Sequence, residues 1–140
     1  MARRTSTRAP EQDDTELLTM NTVALAGVSP YLRCIRGIYA GYDIPIPSTG
    51  MLIGRDPIAC QLVFDSDVEV SRYHCRASYS RQTGFFIITD LNSTNGVFSE
   101  DGRRLAPGEK VALIEGQCFM LCGGKILFQT ILKPVIKRGG

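Results

Sequence analysis

From Tyr31 onward the sequence consists of short apolar runs that turn-forming residues interrupt at close intervals. Asn-Gly, Asp-Gly and Gly-Gly pairs stand between the runs and favour tight turns, because they accept positive φ. No stretch of this region keeps the period of an amphipathic helix. The pattern therefore predicts an all-β fold, a sandwich of short, mostly antiparallel strands. The predicted strands cover residues 31–36, 42–44, 50–54, 62–64, 75–80, 85–90, 97–98, 110–112, 117–121 and 125–131.

Composition divides the 140 residues into three parts. Residues 1–28 open with a polar segment rich in Arg, Thr, Asp and Glu, and we expect a flexible N-terminal arm. Residues 29–133 carry the β pattern and are numerous enough for one domain with its own core. Residues 134–140 form a basic, glycine-ended tail that we expect to be solvated. Hydrophobic residues make up 44% of the chain, which is ordinary for a globular protein.

We expect no signal peptide, because the first residues are polar, and no stretch of the sequence is apolar enough to span a membrane. Its five cysteines are odd in number and irregularly spaced, so we expect free thiols in a reducing cytoplasm, or in the nucleus if the source is eukaryotic. Their spacing gives no metal site, and no cofactor is expected. The formal net charge is only +2, which predicts no strong electrostatic attraction to nucleic acid or to a membrane. The basic residues near both ends are interpreted as solvated termini.

Three polar motifs stand where predicted strands run out into loops. Gly54-Arg55 ends one apolar strand; Ser71-Arg72-Tyr73-His74 follows after fifteen residues, and Asp90-Leu91-Asn92-Ser93-Thr94-Asn95-Gly96 after another fifteen. An arginine fork donates two parallel hydrogen bonds to a phosphate, and short hydroxyls add directed donors. These residue types suit the binding of a tetrahedral dianion together with the peptide that carries it.

Each motif also has a plainer interpretation. Arg55 could form an ordinary ion pair with Asp56 or Asp65, and Asn95-Gly96 could be a simple hairpin turn. His74, the only histidine, could act as a catalytic base for Ser71 or a cysteine, but a neutral histidine that bonds backbone groups is favoured. Paired carboxylates, a metal cluster, a nucleotide loop and a nucleophile elbow are all missing from the sequence, so no enzyme is predicted.

The order and spacing of the three motifs, within a short-strand β pattern, resemble the forkhead-associated (FHA) domain over about residues 30–133. The resemblance implies a β-sandwich whose loops at one end bind phosphothreonine peptides. By position, it assigns Arg55, Ser71 and Thr94 to the phosphate. It places Arg72 near the phosphate or the peptide backbone, and Asn95 on the peptide main chain.

The same resemblance gives structural roles to three further residues. Gly54 would permit the strand exit, His74 would brace the loops, and Gly96 would make the turn. Asp67 and Glu69 lie just before the serine, in the loop that usually reads the third residue after the phosphothreonine. Acid at these positions favours a basic or neutral peptide residue there.

The implied function is a non-catalytic phosphothreonine-binding adaptor in Ser/Thr kinase signalling, with a phosphothreonine-containing protein, a kinase or its substrate as partner. The alternative is a structural FHA module in a larger assembly with a vestigial phosphate site. In the N-terminal arm Thr15, Thr19 and Thr22 are possible phosphorylation sites, and Leu18 stands three residues after Thr15. A phosphorylated Thr15 that docks on these loops would give self-association.

Overall fold

A computed structural model describes residues 24–137 of the chain. The regular elements in this range are ten strands and a short 3₁₀ helix, Cys122–Gly124. The strands are β1 (Ala24–Arg36), β2 (Asp43–Pro45), β3 (Met51–Gly54), β4 (Leu62–Val63), β5 (Cys75–Tyr79), β6 (Phe86–Asp90), β7 (Val97–Ser99), β8 (Lys110–Leu113), β9 (Cys118–Leu121) and β10 (Ile126–Lys137).

The strands form two five-stranded sheets, with the orders β2-β1-β10-β9-β7 and β4-β3-β5-β6-β8. β3 and β4 pair in parallel, with Ile53 opposite Leu62. The other strand pairings with a described register are antiparallel. The predicted all-β sandwich of short, mostly antiparallel strands is therefore confirmed.

The core lies between the two sheets because alternate side chains of each strand point inward. Along β6 the buried positions are Phe86, Ile88 and Asp90, and the positions between them are half-exposed. Phe119 and Phe128, from neighbouring strands, stack with their ring centroids 5.3 Å apart. Burial of each such aromatic side chain contributes about 1.5–3 kcal/mol to the free energy of unfolding. The strands therefore provide most of the stability, and the loops can carry other functions.

Both terminal strands are longer than predicted. β1 begins at Ala24, inside the arm that was predicted to be flexible, and β10 continues to Lys137. Each extension contains a residue that is unfavourable in a strand, because Gly27 is a poor strand former and Pro134 cannot donate to a ladder. The described residues divide between two compact units. One is Pro30–Leu132, which holds the core; the other contains residues 24–29 and 133–137.

All five cysteines are free thiols, as the sequence predicts. Three of them, Cys34, Cys60 and Cys75, are buried, and burial raises the pKa of each. Within residues 24–137 no helix is long and apolar enough to cross a membrane.

Candidate functional site

The three motifs meet at one edge of the sheet that contains β3, β5 and β6. Ile53 near the end of β3 pairs with Cys75 at the start of β5. Cys75 in turn pairs with Asp90, the last residue of β6. The loops that leave these strand ends therefore start side by side. They bring together Arg55, Ser71, His74, Thr94 and Asn95, which we call the loop cluster.

Arg55 is half-buried and is held by the backbone of the next loop. Its amide donates to the carbonyl of Ser71 at 3.0 Å. Its Nε donates to the carbonyl of Val70 at 2.6 Å. No carboxylate among residues 24–137 pairs with Arg55, so the expected alternative of an ion pair with Asp56 or Asp65 is wrong. The guanidinium is thus oriented by a carbonyl while its charge is not neutralised by an acid.

Ser71 joins the second loop to the third. Its Oγ accepts a hydrogen bond of 3.0 Å from the amide of Thr94, which leaves the hydroxyl proton to be donated elsewhere. Its own amide donates to Nδ1 of His74 at 3.0 Å. His74 thus occupies the Ser71 amide, which is not available to an anion. The hydroxyl of Ser71 and the hydroxyl of the exposed Thr94 remain as donors at this point.

His74 is fully buried and bridges two loops. Since Nδ1 accepts from the Ser71 amide, Nε2 carries the proton and donates to the carbonyl of Gly96 at 2.9 Å. Burial lowers the pKa of His74, so the ring is neutral at physiological pH. Neither ring nitrogen contacts the Ser71 hydroxyl, and the geometry is therefore that of a brace and not of a nucleophile–base pair.

Asn95 extends the cluster toward the loop that precedes Ser71. Its exposed carboxamide donates to the carbonyl of Glu69 at 2.8 Å. The thiol of Cys122 donates to the same carbonyl at 3.3 Å, and burial is the main cause that raises the pKa of this thiol to about 11. A thiol with this pKa stays protonated and serves as a donor, not as a nucleophile.

The two glycines of the site are required for different reasons. A Cβ on Gly54 would lie 2.2 Å from the carbonyl oxygen of Arg72 and 2.9 Å from that of Ser71. The sequence suggested that Gly54 permits the strand exit, but its φ is not positive and the constraint is the close approach of another backbone. Gly96 has a φ of +88°, which few other residues adopt.

Arg72 pairs with an acid of the first loop in this structure. Its guanidinium donates to Oδ2 of Asp56 at 3.2 Å and lies over the ring of Tyr73, 5.8 Å from the centroid. The side chain is 68% exposed, so this pair is weak enough to be exchanged for another anion. The Ile58 amide first, and then the Tyr73 hydroxyl and Arg72, hold the pKa of the Asp56 carboxyl below its usual value.

A charged flank lies on the other side of the cluster. The ammonium of Lys125 contacts Oδ1 of Asp67 at 3.2 Å and Oε1 of Glu69 at 3.4 Å. The sequence analysis identified Asp67 and Glu69 but not Lys125, because Lys125 is distant from both acids in sequence. Lys125 therefore offsets part of the negative charge of the two acids.

Asp90 and Arg104 hold the third loop in place. The sequence analysis assigned no role to either residue. The buried carboxylate of Asp90 accepts from the amides of Asn92 at 3.0 Å and Ser93 at 3.3 Å, and from the Ser93 hydroxyl at 2.5 Å. Arg104 donates to the carbonyl of Thr94 at 2.9 Å. An Asp at the end of a strand, whose carboxylate can accept from the amide two residues on, is a signal for such an Asx turn. No local pattern indicates the contact that Arg104 makes.

The arrangement offers a cation and two hydroxyl donors on loops that are bonded to one another. It suits the binding of an oxyanion. Within the described part of the chain no group of three His, Cys, Asp or Glu side chains is placed to hold a metal. The candidate phosphorylation sites Thr15, Thr19 and Thr22 lie outside the described residues.

Comparison with known proteins gives a consistent family assignment. The model of the FHA domain family matches residues 51–122, just over half of the chain. No curated protein matches the chain at a significant level. The crystal structure of the FHA domain of the Chlamydia trachomatis CT664 protein is similar, with 26% sequence identity and a TM-score of 0.63. The match covers 74% of this chain and 96% of that domain.

Two further solved structures are similar at the same level of identity. One, from work on phosphothreonine-dependent FHA domain interactions, is 26% identical with a TM-score of 0.59, over 76% of this chain and 99% of the other. The second is Mycobacterium tuberculosis EmbR in complex with a low-affinity phosphopeptide, 26% identical with a TM-score of 0.61. That match covers 79% of this chain but only 26% of EmbR.

Proposed function

The chain belongs to the forkhead-associated domain family, and on this basis we propose that it is a phosphothreonine-peptide-binding module without catalytic activity. The observation that carries the proposal is Arg55. Its guanidinium is fixed by the Val70 carbonyl and is paired with no carboxylate among residues 24–137. The Thr94 amide donates to Oγ of Ser71, which places these two hydroxyl-bearing residues next to each other on adjoining loops.

This set of groups matches the chemistry of a phosphorylated side chain. A phosphate monoester carries a charge of about −1.5 to −2 at neutral pH and three acceptor oxygens. A guanidinium supplies charge-assisted, paired hydrogen bonds, and hydroxyls supply directed neutral ones. Because the loops are already bonded to one another, little ordering entropy remains to be lost when the ligand binds.

Asn95 supports a peptide, and not free phosphate, as the ligand. Its carboxamide is exposed at the border of the cluster, and it bonds a backbone carbonyl, Glu69, in this structure. The same donor would bond a peptide main chain in a complex. We therefore assign Arg55, Ser71 and Thr94 to the phosphate, Asn95 to the peptide backbone, and Gly54, His74 and Gly96 to support of the loops. Arg72 contacts the phosphate only after its ion pair with Asp56 is broken.

Two of the similar structures come from work on phosphopeptide binding, which is consistent with this proposal. The study of phosphothreonine-dependent FHA domain interactions concerns the residue type assigned here, and EmbR was solved with a low-affinity phosphopeptide. We infer a partner protein that Ser/Thr kinases phosphorylate, and an adaptor role in cytoplasmic signalling. The alternative, a structural module with a vestigial site, is disfavoured because every side chain of the loop cluster is present.

The direct test replaces Arg55 with alanine and measures phosphopeptide affinity by fluorescence polarisation. Loss of an arginine that pairs with a buried phosphate costs about 2–5 kcal/mol, so we expect affinity to fall roughly thirtyfold or more. Arg76→Ala is the matched control. Arg76 is also an arginine bonded to a backbone carbonyl, that of Thr49, but this bond lies at the opposite end of β3 and β5.

Equal losses in the two variants would indicate a general charge effect and would contradict the assignment. No loss in either variant would favour the vestigial module.

Self-recognition through Thr15 stays a prediction. The test is to phosphorylate Thr15 in vitro and to compare the amide NMR shifts of Arg55, Ser71 and Asn95 before and after. Shifts at these three amides would support docking of the arm on the loops. Unchanged shifts would indicate that the site binds another protein and not the arm of this chain.

A further inference from the structure

Three apolar side chains stand side by side on the outer face of the sheet that contains β7, β9 and β10. Phe98 lies opposite Met120, and Met120 lies opposite Leu127, on neighbouring strands. Each of the three is half-exposed and has a buried neighbour along its strand, so all three face away from the core. We call them the apolar row. On β1, the next strand of the same sheet, Ile35 is 46% exposed and widens the apolar surface.

The outer face of the other sheet has different chemistry. There Leu52 lies opposite Arg76, Arg76 opposite Thr89, and Thr89 opposite Lys110, and both basic side chains are exposed. Polar residues are the ordinary occupants of the solvent face of an antiparallel sheet. Three adjacent apolar side chains in this position are an exception, and contiguous exposed apolar surface of this kind marks interaction sites.

Two exposed arginines border the apolar row. Arg104 forms an isolated bridge with Phe98, and its guanidinium carbon lies 6.0 Å from the centroid of the Phe98 ring. Arg36, the last residue of β1, donates to the carbonyl of Gly124. A Cβ built on Gly124 would lie 3.5 Å from the sulfur of Met120 and 3.7 Å from Nη1 of Arg36, so this second guanidinium adjoins the row.

Neither of these guanidinium groups is neutralised by an acid. No carboxylate among residues 24–137 forms a salt bridge with Arg36 or Arg104. Interfaces are built so that opposite charges meet and apolar surface covers apolar surface. The surface complementary to this one is therefore apolar along its middle and carries carboxylates at its borders.

We propose that the apolar row is a docking surface for an acidic, amphipathic helix of a partner protein, and that this helix binds without a phosphate. Neighbouring strands are about 4.8 Å apart, so the row and the bridge to Arg104 together span about 14 Å. An α-helix of about ten residues covers this distance. An apolar stripe on such a helix would cover the row, and Asp or Glu side chains beside the stripe would pair with Arg36 and Arg104.

The charge of the borders argues against two other occupants. A symmetric contact between two copies of the chain would place the cationic border of one copy against that of the other. An anionic lipid surface is held by clusters of about four to eight basic residues, whereas two arginines border this row. A protein segment with a few carboxylates matches the charge that is present.

The docking surface leaves the loop cluster available. The side chains of the apolar row are not among the groups assigned to the phosphate or to the peptide backbone. One chain would then hold a phosphorylated protein on its loops and a second partner on its sheet. The inference goes beyond the proposed function and does not depend on it.

The experiment selects binders of the full wild-type chain from a displayed library of peptides of about sixteen residues, long enough for four helical turns. The library contains no threonine and no phosphate, so that it does not report on the loop cluster. We expect the enriched peptides to carry apolar residues three and four positions apart, with Asp or Glu on both sides of that stripe. Fluorescence polarisation then gives the affinity of one enriched peptide for wild type and variants.

Leu127→Thr interrupts the apolar row with a residue that suits a strand, and it should weaken the peptide about tenfold or more. Ile87→Thr is the matched control, because Ile87 is the half-exposed residue between the buried Phe86 and Ile88 on the other sheet. It should leave the affinity unchanged. Arg36→Gln should weaken the peptide severalfold and reduce the dependence of its affinity on salt. Urea unfolding confirms that each variant is folded.

Four results would overturn the inference. One is a selection that enriches no acidic, amphipathic peptide, and another is an enriched peptide whose affinity Leu127→Thr does not change. The third is self-association of the unliganded chain that Leu127→Thr abolishes, which would make a second copy the occupant. The fourth is binding to phosphatidylserine vesicles that Leu127→Thr abolishes, which would make the occupant a lipid surface. Titration of Leu127→Thr with a phosphothreonine peptide separates the two proposals, because the loop cluster should bind it as wild type does.

Discussion

The two ends of the β5–β6 pair are held in different ways. At one end, beyond Tyr79 and Phe86, the turn is closed by bonds between residues close in sequence. The Ser80 amide donates to the carbonyl of Phe85 at 2.9 Å, and the Thr83 amide donates to the Ser80 hydroxyl at 3.3 Å. At the other end, beyond Cys75 and Asp90, the bonds join loops that are 22 to 26 residues apart in sequence.

This difference separates a turn that only connects two strands from loops that present a site. The hydrogen bonds of a local turn join only neighbouring residues, so a substitution in the turn affects only the turn. The loop cluster is an assembly in which Ser71, His74 and Asn95 each bond a partner in another loop. Ordering several long loops costs conformational entropy, which these bonds must offset. Substitutions at the site end should therefore affect stability and binding together, and those at the other end should affect neither strongly.

The largest effect is expected for Gly54→Ala. The new Cβ would overlap the Arg72 carbonyl at 2.2 Å, and neither backbone can retreat without moving the loop that carries Ser71. We expect a loss of about 3 kcal/mol or more in the free energy of unfolding, measured in urea. Gly84→Ala is the control at the other end. Its φ is +78° but nothing lies within 4 Å of the added Cβ, so the cost should be about 1 kcal/mol. Equal losses would remove the distinction between the two ends.

A smaller effect is expected for Asp90→Ala. Removal of this buried carboxylate leaves the Asn92 and Ser93 amides without their acceptor, at a cost of about 2 kcal/mol. Because Thr94 follows directly, affinity for a phosphothreonine peptide should fall about tenfold. Thermal melts and peptide titrations measure the two effects. Thr83→Ala removes one exposed, local acceptor and should change stability by less than about 0.5 kcal/mol. Undiminished affinity in Asp90→Ala would show that the third loop does not depend on its Asx turn.

The smallest effect concerns pH and His74. Burial lowers the pKa of this ring in the folded state below the ordinary value of 6.5, so the unfolded chain binds more protons below that pH. Stability is complete above pH 6.5 and falls as the pH drops, by at most about 1.4 kcal/mol per unit. Asp56 and Glu109 have lowered pKa values and act only at more acidic pH. Urea unfolding between pH 7.5 and 5 should show this slope in the wild type and its absence in His74→Gln.

His74→Gln should also cost about 1–3 kcal/mol at pH 7.5, since the Ser71 amide and the Gly96 carbonyl lose their partner. Binding should weaken only through this loss. An unchanged stability with abolished binding would mean that His74 contacts the ligand.

Much of the molecule is readable from its sequence, because strand breaks and turn pairs are local signals. Strands were expected close to their observed places from Asp43 to Leu121. The motif residues met at one sheet edge because antiparallel pairing aligns the ends of β3, β5 and β6. The terminal strands were underestimated, since Gly27 and Pro134 are unfavourable in strands.

The missed parts are contacts between distant segments. Arg104 reaches the Thr94 carbonyl because a bridge brings it opposite Phe98, and Lys125 reaches Asp67 from the start of β10. No local pattern encodes either contact.

The central claim, that the loop cluster reads a phosphate, is tested most directly by calorimetric titration of the wild-type chain with one peptide in two forms. The peptide is one selected by this chain from a phosphothreonine peptide library, and it is titrated with and without phosphate on the threonine. We predict saturable, one-to-one binding of the phosphorylated form and at least a roughly thirtyfold weaker response to the other, as expected when charge-assisted phosphate contacts are lost. Equal affinity for the two forms would contradict the account.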